Sequence, residues 1–140
     1  MNDRISGAYA GGDQETVLLL DHEIIVRMAL AEYLRECGYR VIEAANTDEA
    51  KLVLEHGEFR VDVVLIDLAA TGSSDGFAFA KWARAHKTGL PIVLVATPDH
   101  ASNTAGDLCE EGPMLSKPYD HQLLLKRIRQ LLAERSRNGS

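Results

Sequence analysis

Five strand-length runs, Thr16–Leu20, Arg40–Glu43, Val61–Ile66, Leu90–Ala96 and Met114–Ser116, alternate along the chain with segments whose apolar residues recur at three- and four-residue steps. This alternation predicts a parallel sheet covered by helices on both faces, because parallel strands need crossover helices to connect them. Val61–Ile66 is apolar almost throughout and is expected at the centre of the sheet, where both strand faces are covered. Pro91 fits only at the start of its strand, since it brings no N–H to a ladder. With 140 residues, 46% of them hydrophobic and 26% charged, the chain is the size of one domain of roughly 100–200 residues. We place a flexible N-terminal tail at residues 1–14, the folded domain at 15–135 and a flexible C-terminal tail at 136–140.

The helical segments carry their own start and stop signals. The first, about Glu23–Cys37, shows Val26, Ala29, Leu30, Tyr33, Leu34 and Cys37 as an inward stripe before Gly38. Asn46 reads as the N-cap of the second, with Glu49 placed to complete a capping box and Gly57 to end it in the left-handed conformation. Ala50, Val53 and Leu54 face inward. The third helix, about Gly76–His86, is entered through a flexible loop, Thr71–Asp75. Asp120 caps the last helix, whose inner face is Leu124, Ile128, Leu131 and Leu132. The stretch 99–112 is too rich in poor helix formers for more than a marginal helix.

In a parallel sheet the C-terminal ends of all strands fall on one edge, and there a ligand site is expected. Three of these ends carry charge: Leu20 leads into Asp21-His22-Glu23, Ile66 into Asp67, and Ser116 into Lys117-Pro118. Each alone is ordinary, as an aspartate after a strand usually caps a helix and Lys-Pro is a frequent loop dipeptide. Together they supply what phosphoryl transfer to a carboxylate needs: Asp67 as nucleophile, Asp21 with Glu23 as oxygen donors for a hard cation such as Mg²⁺, and Lys117 as a point charge on the opposite flank.

These motifs in this order resemble the receiver domain of two-component response regulators. Val17-Leu18-Leu19-Leu20-Asp21-His22-Glu23 matches the first acidic motif and Val63-Val64-Leu65-Ile66-Asp67 the phosphoacceptor strand. Asp75-Gly76-Phe77 matches the start of the third helix, Pro91-Ile92-Val93-Leu94-Val95 the fourth strand, and Lys117-Pro118-Tyr119 the family's lysine motif. The resemblance spans about Thr16 to Glu134. It implies a flavodoxin-like fold, a doubly wound five-stranded parallel sheet in the order 2-1-3-4-5. It also implies that Asp67 accepts a phosphoryl group from a phosphohistidine on a sensor histidine kinase or phosphotransfer protein. Mg²⁺ would be held by Asp21, Asp67 and the backbone carbonyl of Ala69. The implied role is signalling rather than enzymatic, with at most Mg²⁺-dependent self-phosphorylation and slow self-dephosphorylation.

Four departures from the family's pattern bear on function. His22 stands where a second acid is usual, and imidazole is a poor ligand for Mg²⁺. This predicts weakened Mg²⁺ binding unless Glu23 or water substitutes, and it leaves open a hydrogen bond from His22 to the phosphoryl group or a preference for a softer ion. Ala96 takes the switch-hydroxyl position, with Thr97 displaced by one residue and so pointing elsewhere on a regular strand. Met114 replaces the usual switch aromatic. The loop after Asp67 has Thr71 where proline is usual, and one extra residue.

The leading reading is a stand-alone receiver, expected to signal through protein–protein contact with a downstream partner, as a monomer or weak dimer. Its rival is a pseudo-receiver whose interactions do not depend on phosphorylation, favoured by His22, Ala96 and Met114. A haloacid-dehalogenase-type phosphatase would need an acid at Ala69, and a flavin or nucleotide carrier would need a glycine-rich loop after the first strand. A net charge of −6 argues against direct nucleic-acid binding, and the basic residues of the last helix read as a solvated face. Cys37 and Cys109 have no metal-ligand spacing and read as packing residues. With no apolar span of membrane length and no signal peptide, a cytoplasmic protein without membrane contact is expected.

Overall fold

A computed structural model describes residues 14–96, 114–116 and 120–139. Residues 1–13 of the N-terminal tail, the 99–112 stretch, Thr97 and Lys117 lie outside the described residues. The elements are β1 (Thr16–Leu20), α1 (Ile24–Glu36), β2 (Arg40–Ala44), α2 (Thr47–His56), β3 (Val63–Asp67), α3 (Gly76–His86), β4 (Ile92–Ala96), β5 (Met114–Ser116) and α4 (His121–Gly139). The five strands form one parallel sheet in the order β2-β1-β3-β4-β5, as expected for a doubly wound fold.

Because side chains alternate across a strand, the sheet divides its apolar residues between two cores. Leu18, Leu20, Val64, Ile66 and Leu94 pack with Leu54 of α2 and with Phe79, Ala80 and Ala83 of α3. On the other face Val17, Leu19, Leu65, Val93 and Val95 pack with Leu30 and Leu34 of α1 and Leu124 and Ile128 of α4. β1, β3 and β4 are buried at every position, which is why their sequences run apolar without alternation.

The caps follow the sequence closely. Asn46 Oδ1 accepts the Glu49 N–H at 2.9 Å, while Glu49 Oε1 reaches back to the Ala45 N–H at 2.7 Å, one residue before the position a capping box prescribes. Gly57 ends α2 at φ 70°. Asp75 caps α3 by accepting the Ala78 N–H at 2.7 Å, and Asp120 Oδ1 accepts from Gln122 N at 2.9 Å.

Two readings are corrected. In α1 the buried residues are Leu30, Ala31 and Leu34, whereas Val26 and Ala29, read as inward, are exposed. Apolar residues occupy nearly every position from Ile24 to Ala31 apart from Arg27, so no single stripe is defined, and the packing of the helix selects the face. α4 runs to Gly139, through the residues assigned to a C-terminal tail. Arg135 helps hold it, donating from Nη1 to the Asp62 carbonyl and lying 3.4 Å from Asp62 Oδ1.

Asp62 is a buried charge in the approach to β3, 2% exposed. Its Oδ2 accepts the Thr16 N–H at 2.8 Å and its Oδ1 the Arg60 Nε–H at 3.0 Å. A carboxylate so placed is tolerated because backbone and guanidinium donors satisfy it.

Candidate functional site

β1 and β3 are neighbours, and their register pairs Leu20 with Ile66. Asp21 and Asp67 each stand one residue further on and so meet at the C-terminal edge of the sheet. Asp67 is the last residue of β3 itself, opposite Val95 of β4, and both carboxylates are 3% exposed. Asp67 is thus a carboxyl held just beneath the surface.

Local hydrogen bonds fix both groups. Asp21 Oδ1 accepts the Glu23 N–H at 2.9 Å, turning the chain into α1, and the Asp21 carbonyl accepts from Arg27 Nη1 at 2.9 Å. Asp67 Oδ1 accepts the Ala69 N–H at 3.0 Å, and its carbonyl accepts the Ala70 N–H at 2.9 Å. Gly76 opens α3 close against this turn, for a Cβ there would come within 2.6 Å of the Asp67 carbonyl oxygen and 2.9 Å of Leu68 Cα. The loop between is fastened to the start of α2, with Thr47 N–H donating to Thr71 O at 2.8 Å, Thr47 Oγ1 to Ser74 O at 2.7 Å, and Ser73 N–H to Asp48 Oδ2 at 3.1 Å.

His22 completes the cluster. Its Nδ1 lies 3.3 Å from Asp67 Oδ2 and 4.0 Å from Asp21 Oδ1. One donor atom from each of Asp21, His22 and Asp67 falls within 4.8 Å of the others, the metal-capable grouping among the described residues. Glu23, offered by sequence as a possible ligand, is the exposed N-cap residue of α1 and is not part of that grouping. The side chain treated as a departure thus takes the place reserved for its neighbour. Two carboxylates so close and so buried repel one another, and a positive group or ion beside them is stabilising.

Of the remaining sequence candidates, Ala69 contributes its N–H to Asp67 as described. Ala96 ends β4, buried and paired in register with Ser116 of β5. The partners of Asp62 escaped sequence reading. The signal available was an acid inside a fully apolar run, which demands a donor.

The response regulator receiver domain family model matches residues 17–129. This chain belongs to the response regulator receiver family. The receiver is 30% identical over 123 residues to the transcriptional regulatory protein GltR of Pseudomonas aeruginosa, covering 84% of this chain and 48% of that protein. It is 31% identical over 122 residues to a cyclic di-GMP phosphodiesterase of Thermotoga maritima, covering 86% of this chain and 32% of the relative. The chain therefore spans half or less of the length of these two curated relatives. Among solved structures it resembles a response regulator receiver protein from Sinorhizobium medicae WSM419, with a TM-score of 0.77 and 26% identity over 89% of this chain and 99% of that one. The receiver thus has the flavodoxin-like fold and is a two-component signalling module. No helix among the described residues is long and apolar enough to cross a membrane.

Proposed function

We propose that this receiver accepts a phosphoryl group on Asp67 from a phosphohistidine of a sensor histidine kinase or phosphotransfer protein and signals by protein–protein contact. The observation that carries the reading is the pairing of two buried carboxylates, Asp21 and Asp67, at the C-terminal edge of adjacent central strands. In the transfer, an Asp67 carboxylate oxygen forms a bond to phosphorus as the bond from phosphorus to the donor's imidazole nitrogen breaks, and the donor histidine departs with the electron pair. Oδ1 accepts the Ala69 N–H, and Oδ2 faces His22 Nδ1 at 3.3 Å. Lys117 is assigned the contact to the phosphoryl oxygens, and Thr97 the role of a displaced switch hydroxyl.

Mg²⁺, when bound in receivers, neutralises charge on the phosphoryl oxygens. Asp21, Asp67 and the Ala69 carbonyl are the oxygen donors we assign to it, with Glu23 a more distant substitute. The carboxylates suit a hard cation, but the imidazole nitrogen does not. Binding of Mg²⁺ is accordingly expected to be weaker than with an acid at position 22.

A receptive surface for the donor adjoins the site. Ile24, Ile25 and Met28 are exposed on α1 within a few residues of Asp21, and Ile25, Met28, Ala29 and Glu43 line a shallow groove there. We assign this surface to the phosphohistidine partner. The cytoplasm, where such partners act, is the proposed location, and the N-terminal tail at residues 1–14 is proposed to lie outside the signalling domain.

The test is incubation with acetyl phosphate and Mg²⁺ followed by intact-mass measurement. A single phosphoryl adduct, lost in Asp67→Asn, is expected. The second reading, a pseudo-receiver, is favoured by His22 Nδ1 standing 3.3 Å from Asp67 Oδ2 and by the methyl of Ala96 at the switch position. Absence of an adduct from both acetyl phosphate and a cognate kinase would select it.

A further inference from the structure

The donor set at the sheet edge disagrees with the hard cation that the fold family implies. Mg²⁺ demands near-octahedral oxygen coordination and gives up its waters reluctantly. The grouping present is one imidazole nitrogen between two carboxylates, Asp21, His22 and Asp67. Nitrogen and carboxylate oxygen together are the ligands of zinc-type ions, and three protein ligands with a position left open is the usual form of a reactive zinc site.

The distances favour the same ions. Metal–ligand bonds of about 2.1 Å in a tetrahedral arrangement place two donors about 3.4 Å apart. His22 Nδ1 and Asp67 Oδ2 are 3.3 Å apart, matching that spacing. Asp21 Oδ1 is 4.0 Å from the same nitrogen, and one donor of Asp21 lies within 4.8 Å of the other two, so it joins by side-chain adjustment. Both carboxylates are buried and each accepts a backbone N–H, so only small adjustments are open to them. The adjustable part is the imidazole, whose side chain is 38% exposed.

We propose that His22 shifts the metal preference of this site from Mg²⁺ toward nitrogen-accepting first-row ions, with Zn²⁺ held by Asp21, His22 Nδ1 and Asp67. The inference deepens the reading of this edge as the receiver's metal and phosphoryl site. It predicts that the chain discriminates between cations by one side chain, so that the available ion decides whether the edge is occupied before any phosphoryl donor arrives.

Calorimetric titration of the full chain with Zn²⁺ alone and with Mg²⁺ alone, in neutral buffer without a phosphodonor, measures the preference. The wild-type ratio of Zn²⁺ to Mg²⁺ affinity is expected to exceed that of His22→Asp by at least tenfold, with His22→Asp binding Mg²⁺ more tightly. Long-range ¹H–¹⁵N spectra of the histidine rings identify the ligand directly. Zn²⁺ is expected to shift one Nδ1 resonance, which His22→Ala removes while leaving the circular dichroism spectrum unchanged. An unchanged affinity ratio in His22→Asp, or an Nδ1 of His22 that does not respond to Zn²⁺, overturns the proposal. Phosphorylation of Asp67 with an unresponsive Nδ1 refutes the metal inference alone. A responsive Nδ1 with no adduct on Asp67 upholds it and refutes phosphotransfer alone.

Discussion

At the scale of single residues, buried charge is what this chain spends its hydrogen bonds on. Asp62 is the clearest instance away from the site. Its Oδ2 takes the Thr16 N–H at the start of β1, and its other groups receive Arg60 and Arg135. Arg60 is largely exposed and adds little, so the cost of truncation falls mainly on the unsatisfied backbone donor. Asp62→Ala is expected to lower stability by about 2 kcal/mol, read from the urea midpoint, and Asp62→Asn by less because the amide oxygen still accepts from Thr16. The two site aspartates were legible in the sequence, since each follows an apolar run that had to end at the sheet edge. The place of His22 was not. Proximity to Asp67 depends on how the chain turns from β1 into α1, and that turn is set by the Glu23 N–H folding back onto Asp21.

At the scale of elements, α1 is exposed where an isolated domain would not need apolar surface. Ile25 is 78% exposed, so Ile25→Asp removes almost no burial and is expected to leave the thermal midpoint within a degree or two of wild type. If the phosphohistidine partner docks there, the same change slows transfer from that partner by about tenfold or more, since a charge at an interface centre is costly. Labelling by acetyl phosphate, which needs no docking, should be unaffected. The strands and the caps of α2 and α4 were readable because each rests on a local rule: an apolar run, an Asn or Asp at the N-cap, a glycine at the end. The buried face of α1 was unreadable for the opposite reason. With apolar residues on both sides of the helix, periodicity supports two stripes, and only the sheet and α4 choose between them. The apolar outer side of α1 is the surface assigned above to the phosphohistidine partner.

At the scale of the whole molecule, the tyrosines report on the packing around α1. Burial holds the Tyr39 phenol above its ordinary value of 10.0, with Glu15 adding to the rise and Arg129 opposing it. Because the folded form binds this proton more tightly, the associated stability is full below the unfolded value and is lost as pH climbs through the folded one. Unfolding free energy is therefore expected to fall above about pH 10, and Tyr39→Phe to flatten that decline in denaturant titrations across the alkaline range.

The anchorage of α4 has a mechanical consequence for the same whole. Arg135 moors the helix beside the start of β3, at the opposite end of the sheet from Asp67. A lever pinned at its base turns small strokes into sweep at its tip. If Asp67 accepts a phosphoryl group as proposed, any tilt of α4 about this mooring would sweep widest in the first turn after Asp120.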